Sequence, residues 1–199
     1  GVTYGKDCLY VMVYNGANKL YSYDFTTNTL KYLTDVEAFF ELSGIAYDEQ
    51  NELLYGVGGF YLFQYDMKKL ASSNGFLRYS NFVMDADNAT LNSVAVVNGD
   101  VYYTGTNMSA TATIFAKYDR YFNERTLITS DLGLGTMAGK TEMAYDSTAG
   151  KLYITDVTDS LYTMDVPTGE SETVVLEPVD KLGNGLHFSG LAIGAIAAQ

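Results

Sequence analysis

The chain has one cysteine, one histidine and no tryptophan among its 199 residues. Lone Cys8 allows no internal disulfide, and one Cys with one His cannot build a zinc site or hold another transition metal tightly. Basic residues are few: 12 Lys+Arg stand against 24 Asp+Glu, giving a net charge of −12. A phosphate backbone or an anionic lipid surface is repelled by that balance, so nucleic acid is excluded as a partner. The most apolar stretch, Leu186 to Ala198, is interrupted by His187, Ser189 and glycines. It falls short of the roughly 18–20 apolar residues of a membrane helix, and no membrane insertion is expected. Also missing are a Gly-x-Ser-x-Gly elbow and a phosphate loop. With a single His and a single Cys, no nucleophile is paired with a base. What remains is 47% apolar and 18% charged, with 19 Gly, 18 Tyr and 10 Phe. That composition belongs to a folded chain long enough to bury one core.

Repeats dominate the pattern. One segment recurs as Ser43-Gly44-Ile45-Ala46, Asn92-Ser93-Val94-Ala95, Thr141-Glu142-Met143-Ala144 and Ser189-Gly190-Leu191-Ala192, with the alanines 49, 49 and 48 residues apart. A second places an aliphatic residue before tyrosine at Tyr10, Tyr55, Tyr102 and Tyr153, and a third ends in Asp24, Asp66, Asp119 and Asp165. A looser fourth covers Thr29–Thr34, Phe76–Phe82, Arg125–Thr129 and Glu172–Leu176. Each segment is short, rich in β-branched and aromatic residues, and bounded by Asn, Asp and Gly turn signals, which is the pattern of strands. Four strands in a unit of roughly 40–50 residues match a propeller blade. No run of apolar residues at helical spacing competes with this reading.

The expected fold is therefore all-β: a four-bladed β-propeller of four-stranded antiparallel blades in one domain, residues 1–199. The phase of the repeats predicts a composite first blade, 7–34 plus 188–198, in which the C-terminal strand Ser189–Ala198 pairs beside Cys8–Tyr14 and closes the ring. Blades 2, 3 and 4 are expected over 42–83, 91–130 and 140–177. The alternative is a piece of a larger propeller. Tyrosines of the second column are expected between blades, with their hydroxyls reaching polar edges.

Antiparallel order sends the long connections Asp35–Leu42, Ser80–Leu91, Asp131–Lys140 and Glu177–Phe188, with the insertion Thr106–Thr113, to one face. Tight turns such as Asp48–Asn51 and Asn98-Gly99 fall on the other. Long loops on a rigid scaffold are where binding resides. At that mouth Ser43, Asn92, Thr141 and Ser189 form a polar ring, with Glu142 beside it. Two readings stay open: the ring orders water, an ion or a ligand hydroxyl, or it hydrogen-bonds its own loops. Phe39 and Phe40 are candidate exposed anchors. Asp85 and Asp87 could wrap a weak Ca²⁺, although the glycine and distal glutamate of the helix-loop-helix calcium motif are missing. No other cofactor is expected.

The units SGIAYDEQNELLYGVGGFYLFQYD and TEMAYDSTAGKLYITDVTDSLYTMDVPTGE resemble blades of the quinoprotein-like and YVTN-type β-propellers of bacterial surface and secreted proteins. Without tryptophan, the likeness does not extend to pyrroloquinoline quinone. The resemblance implies an extracellular or cell-surface propeller within a larger multidomain protein. The expected function is a noncatalytic recognition or adhesion module that binds a glycan or protein through the long-loop face. The alternative is a carboxylate-based glycan-active enzyme, using Glu142 with Asp85 or Asp131.

Overall fold

A computed structural model of the chain describes residues 1–5, 7–72, 74–134, 141–156, 160–167 and 174–179. Four antiparallel sheets stand as blades around one axis. Blade 1 contains β1 (Val2–Tyr4), β2 (Leu9–Tyr14), β3 (Asn18–Asp24) and β4 (Thr29–Val36). Blade 2 contains β5 (Gly44–Asp48), β6 (Leu53–Gly58), β7 (Tyr61–Asp66) and, after a 3-10 turn over Met67–Ser72 and the short β8 (Phe76–Leu77) that joins the sheet of blade 1, β9 (Asn81–Met84). Blade 3 is β10 (Thr90–Val97), β11 (Asp100–Thr106), β12 (Thr113–Tyr118) and β13 (Arg125–Thr129). Blade 4 is β14 (Met143–Asp146), β15 (Lys151–Thr155), β16 (Leu161–Asp165) and β17 (Glu177–Pro178). The innermost strands β1, β5, β10 and β14 line a narrow axial cavity of about 80 Å³, and each contributes to its wall.

Local chemistry explains the strand ends. Asp24 and Asp66, which end their third strands, and Asp119, which follows β12, accept backbone N–H groups from the turn that comes next: Thr26, Lys68 and Asn123 at 2.7, 3.1 and 2.6 Å. Asp48 does the same for Asn51 at 3.2 Å. The bonds of Asp24 and Asp66 are Asx turns and those of Asp48 and Asp119 reach one or two residues further, and this capping of the turn is the reason that aspartate recurs at the column's end. Between β10 and β11, Asn98 and Gly99 take φ of 53° and 93°. An Asn-Gly pair adopts that left-handed hairpin turn at low steric cost.

The core lies between blades. One cluster joins blades 1 and 2 through Leu20, Leu54, Phe63 and Tyr65, a second joins blades 2 and 3 through Tyr55, Leu91 and Tyr103, and a third joins blades 3 and 4 through Phe115, Ile128 and Leu152. Burying each such side chain contributes about 1.5–3 kcal/mol. Column tyrosines bridge the same gaps as expected from the repeats. Tyr55 donates its hydroxyl to the Arg120 carbonyl at 3.3 Å, and Tyr102 donates to that of Pro167 at 2.8 Å, so each reaches the third-to-fourth strand turn of the next blade.

Three features differ from the sequence-based expectation. In blade 1 the seat beside β2 is held by Val2–Tyr4, whose Thr3 pairs with Tyr10 just as Ala46 pairs with Tyr55. The strand expected there, Ser189–Ala198, lies outside the described residues. A hairpin closed over a few residues costs far less chain entropy than one closed across the chain, and Gly5 N–H donates to the Cys8 carbonyl at 2.7 Å to form it. In blade 2 the stretch Phe76–Phe82 is divided. Phe76 and Leu77 cross to blade 1 and pair in parallel with Asp35 and Val36, while the fourth strand runs Asn81–Met84. In blade 4 the outer pairing falls at Glu177 and Pro178, opposite Thr163 and Tyr162.

Candidate functional site

The mouth is built where the innermost strands of blades 2 to 4 begin. Ser43 Oγ donates to the carbonyls of Val57 and Leu91 at 3.2 and 3.1 Å, tying blade 2 to blade 3. Buried Asn92 donates to Thr106 Oγ1 at 3.1 Å. Thr141 closes a hydroxyl chain with Thr104 at 2.9 Å, which in turn meets Ser93 at 2.7 Å. The ring residues thus face their own blade or the next, as Ser, Thr and Asn do at loop junctions. Ser189 lies outside the described residues.

Glu142 is half-buried at the start of the fourth blade's inner strand, its N–H donating to Thr155 Oγ1 at 2.9 Å. Burial pushes its carboxyl up to about 7. A carboxyl of that kind can hold a proton at neutral pH, as a general acid does. The two carboxylates that the sequence suggested as its partners differ in how they are engaged. Asp131 turns its Oδ1 to the N–H of Gly133 at 2.9 Å, and Asp85 is engaged elsewhere.

Asp85 is 1% exposed and fully used. Its Oδ2 accepts the N–H groups of Asp87 and Ala89 at 3.0 and 3.1 Å, and its Oδ1 accepts the Tyr103 hydroxyl at 2.6 Å. Arg125 Nη2 stands 3.2 Å from Asp85 and 2.6 Å from Asp87, while its Nε donates to the Tyr103 oxygen at 2.7 Å. Burial first, then the Asp85 charge, holds the Tyr103 phenol well above its ordinary range. The two aspartates that the sequence groups as a cation site therefore do converge, and the positive charge between them is a guanidinium from blade 3. No cluster of three or more metal-ligating side chains occurs among the described residues.

Phe39 and Phe40 are brought to the surface together, 49% and 46% exposed. Their loop is fixed from beneath. Tyr65 donates to the Glu37 carbonyl at 2.7 Å, and buried Asn18 donates to the Phe40 carbonyl and accepts the Leu42 N–H, both at 2.9 Å. Gly59, at φ 58°, lets the Phe40 ring lie where a Cβ would stand, 2.6 Å from Cδ2. Phe39 meets Tyr61, Phe63, Tyr79 and Phe82 edge to face at 5.2–5.6 Å between centroids. Phe82 and Met84, from β9, continue the exposed apolar surface at 42% and 44%. The described mouth connections 35–43, 85–91, 131–134 and 141–142 carry seven carboxylates and no Lys or Arg.

Sequence reasoning finds the two phenylalanines and misses Asn18, Tyr61, Phe82 and Met84. The available signal is in Asn81-Phe82-Val83-Met84, an outermost strand whose sequence offers apolar residues to both faces.

No family model matches the chain, and no curated protein matches it. Its fold is similar to that of a chain in the crystal structure of the mitotic checkpoint complex, with a TM-score of 0.52 at 9% identity. The likeness covers 82% of this chain and 45% of that one, so this chain spans less than half the length of its structural neighbour. At such identity the similarity is one of fold.

Proposed function

We propose that this propeller is a noncatalytic recognition module that holds a protein partner against the aromatic corner of its mouth face. The observation that carries the reading is the exposure of Phe39, Phe40, Phe82 and Met84 as one patch on a braced loop and strand. Contiguous apolar surface of this kind marks an interaction site, and aromatic anchors dominate such interfaces. The carboxylates of the surrounding connections and the net charge of −12 favour a partner with a cationic surface. The structural neighbour is a chain of a protein complex, which agrees with protein rather than glycan as the ligand. The blade motifs resembling YVTN-type propellers support display outside a bacterial cell, within a longer polypeptide.

The test is an array of purified extracellular proteins and glycans, probed with the intact chain and with Phe39→Ser/Phe40→Ser. A protein ligand whose binding weakens with salt and falls at least tenfold in the double variant, at unchanged melting temperature, supports the reading. Binding that maps to the tight-turn face overturns it, and so does retention of glycans alone. Shortening of a glycan, lost in Glu142→Gln, would establish the hydrolase instead.

A further inference from the structure

A second concave site lies in the crossover that reaches from blade 2 to blade 1, where β8 pairs with Asp35 and Val36. It is a cleft of about 370 Å³ lined by Lys69, Ser72, Phe76, Leu77, Arg78, Tyr79 and Ser80. That volume is within the range of small-ligand sites, roughly 300–1,000 Å³. Its charge is opposite to that of the molecule, since the lining has two cations and no carboxylate in a chain of net −12.

The state of those cations is informative. Among the described residues, Arg125 is paired with Asp85 and Asp87, and Arg120 lies 3.8 Å from Asp48. Lys117 is held by Asp100 at 2.7 Å, and Lys151 by Glu177 at 3.0 Å. Among the described residues, Arg78 is the one arginine with no carboxylate in ion-pair range; Lys19 and Lys31 also have none, but neither lines a cleft. Lys69 has only a loose contact with Asp66 at 3.6 Å, beyond hydrogen-bonding distance, so its ammonium keeps its donors. In a chain with twice as many acids as bases, an arginine left unpaired beside a cleft points to a negative charge brought from outside.

The position is also braced. On one side of Arg78, buried Leu77 is paired with Val36 in the sheet of blade 1. On the other, Tyr79 packs against Phe39, Phe63 and Phe82. The backbone that carries Arg78 is thereby fixed, and the guanidinium offers a planar fork that matches a carboxylate. Ser72 Oγ donates to the Lys69 carbonyl and Ser80 Oγ to that of Gln64, at 3.1 and 3.0 Å. Both hydroxyl oxygens retain acceptor capacity for a ligand hydroxyl or amide. The rings of Phe76 and Tyr79 supply apolar walls.

We infer that this cleft binds a carboxylate-bearing small ligand, about one sugar ring or one amino-acid residue in size, with Arg78 as its bidentate counter-charge and Lys69 as a second positive group. A uronic acid and the carboxylate end of a peptide share this chemistry. Calorimetric or NMR titration of the full chain with sodium glucuronate, glucose, N-acetylglycine and sulfate separates the sources. Saturation by glucuronate or N-acetylglycine in the millimolar range, with glucose failing to bind, is the expected result, and whichever carboxylate binds more tightly identifies the source. Arg78→Gln should weaken binding about tenfold, and Arg78→Lys by less, because it keeps charge but not the fork. Arg78 is exposed, so both variants are expected to fold, which an unchanged melting temperature verifies. Phe40→Ser, whose ring packs on Tyr61 and makes no ring contact with Tyr79, should leave this affinity unchanged, which separates the cleft from the mouth. The inference is overturned if no carboxylate saturates, if glucose or sulfate binds as well as the carboxylates, or if Arg78→Gln retains full affinity.

Discussion

Replacing Asp85 by alanine should be among the most damaging single changes available in this molecule. The carboxylate is the hub of four contacts, and its removal strands each of them: two backbone N–H groups, the Tyr103 hydroxyl and one face of the Arg125 guanidinium. Breaking a buried charge pair by deleting one partner typically costs roughly 3–5 kcal/mol. Asp87 retains its own 2.6 Å contact to Arg125, which offsets part of the loss and places the expectation near the lower end of that range. For a domain of this size, about 3 kcal/mol lowers the melting temperature by roughly 6–12 °C. Asp85→Asn keeps an acceptor for Tyr103 but loses the charge and should fall between. Denaturant unfolding at neutral pH, with Arg125→Met and the double variant completing a cycle, measures the coupling. An Asp85→Ala cost well under 1 kcal/mol would refute the reasoning. So would a calcium-dependent rise in the melting temperature that Asp85→Ala abolishes, since a metal rather than Arg125 would then be the counter-charge.

Two further predictions concern pH. Burial raises the folded-state pKa of Tyr55 to about 12, and pushes Tyr65 and Tyr103 above their ordinary range. Their contribution is present in full below the unfolded value of about 10 and is lost above it, by up to about 1.4 kcal/mol per pH unit for each tyrosine. Phenolate absorbance should therefore rise together with unfolding; buried tyrosines that ionise in a still-folded protein would contradict this. Glu142, with a folded pKa of about 7, has the same sign in a lower window. Its contribution is complete below the unfolded value of about 4.3 and declines as pH rises through about 7. Urea unfolding at mildly acidic and mildly alkaline pH should show Glu142→Gln gaining on the wild type at the alkaline end, and parallel curves for the two proteins would refute it.

The blade pattern was legible because each column has a physical duty. Alanines line a narrow axis, tyrosines span to the next blade, and aspartates fold the turn behind them. The first blade's inner strand was harder to read. Gly1-Val2-Thr3-Tyr4 aligns with Gly44-Ile45-Ala46-Tyr47, yet β1 has three residues and a threonine where the column has alanine. The longer Ser189–Ala198 repeats the motif more fully and draws the assignment. The crossing of Phe76 and Leu77 was hidden for a related reason: two residues carry no periodicity, and their partner in β4 lies in another blade. At the site, Phe39 and Phe40 stand out as adjacent aromatics in a loop. Arg125 could not be matched to Asp85 from sequence, because 40 positions separate them and only the packing of blade 3 against blade 2 brings them together.

The crossing strand β8 also determines which parts of the ring can come apart. A propeller of self-contained blades behaves as a chain of repeats coupled through nearest-neighbour interfaces. Here the outer edge of blade 1 is completed by residues encoded inside blade 2, with Asp35 and Glu37 donating their N–H groups to the Gly75 and Leu77 carbonyls at 3.2 and 2.9 Å. During synthesis blade 1 must wait with its β4 edge open until Phe76 and Leu77 have emerged, a template for mispairing in the interval. Once they dock, neither blade can open without disturbing the other. Amide exchange should then report blades 1 and 2 as a single cooperative unit, and the smallest portion of this fold that could be duplicated or transplanted intact is the pair.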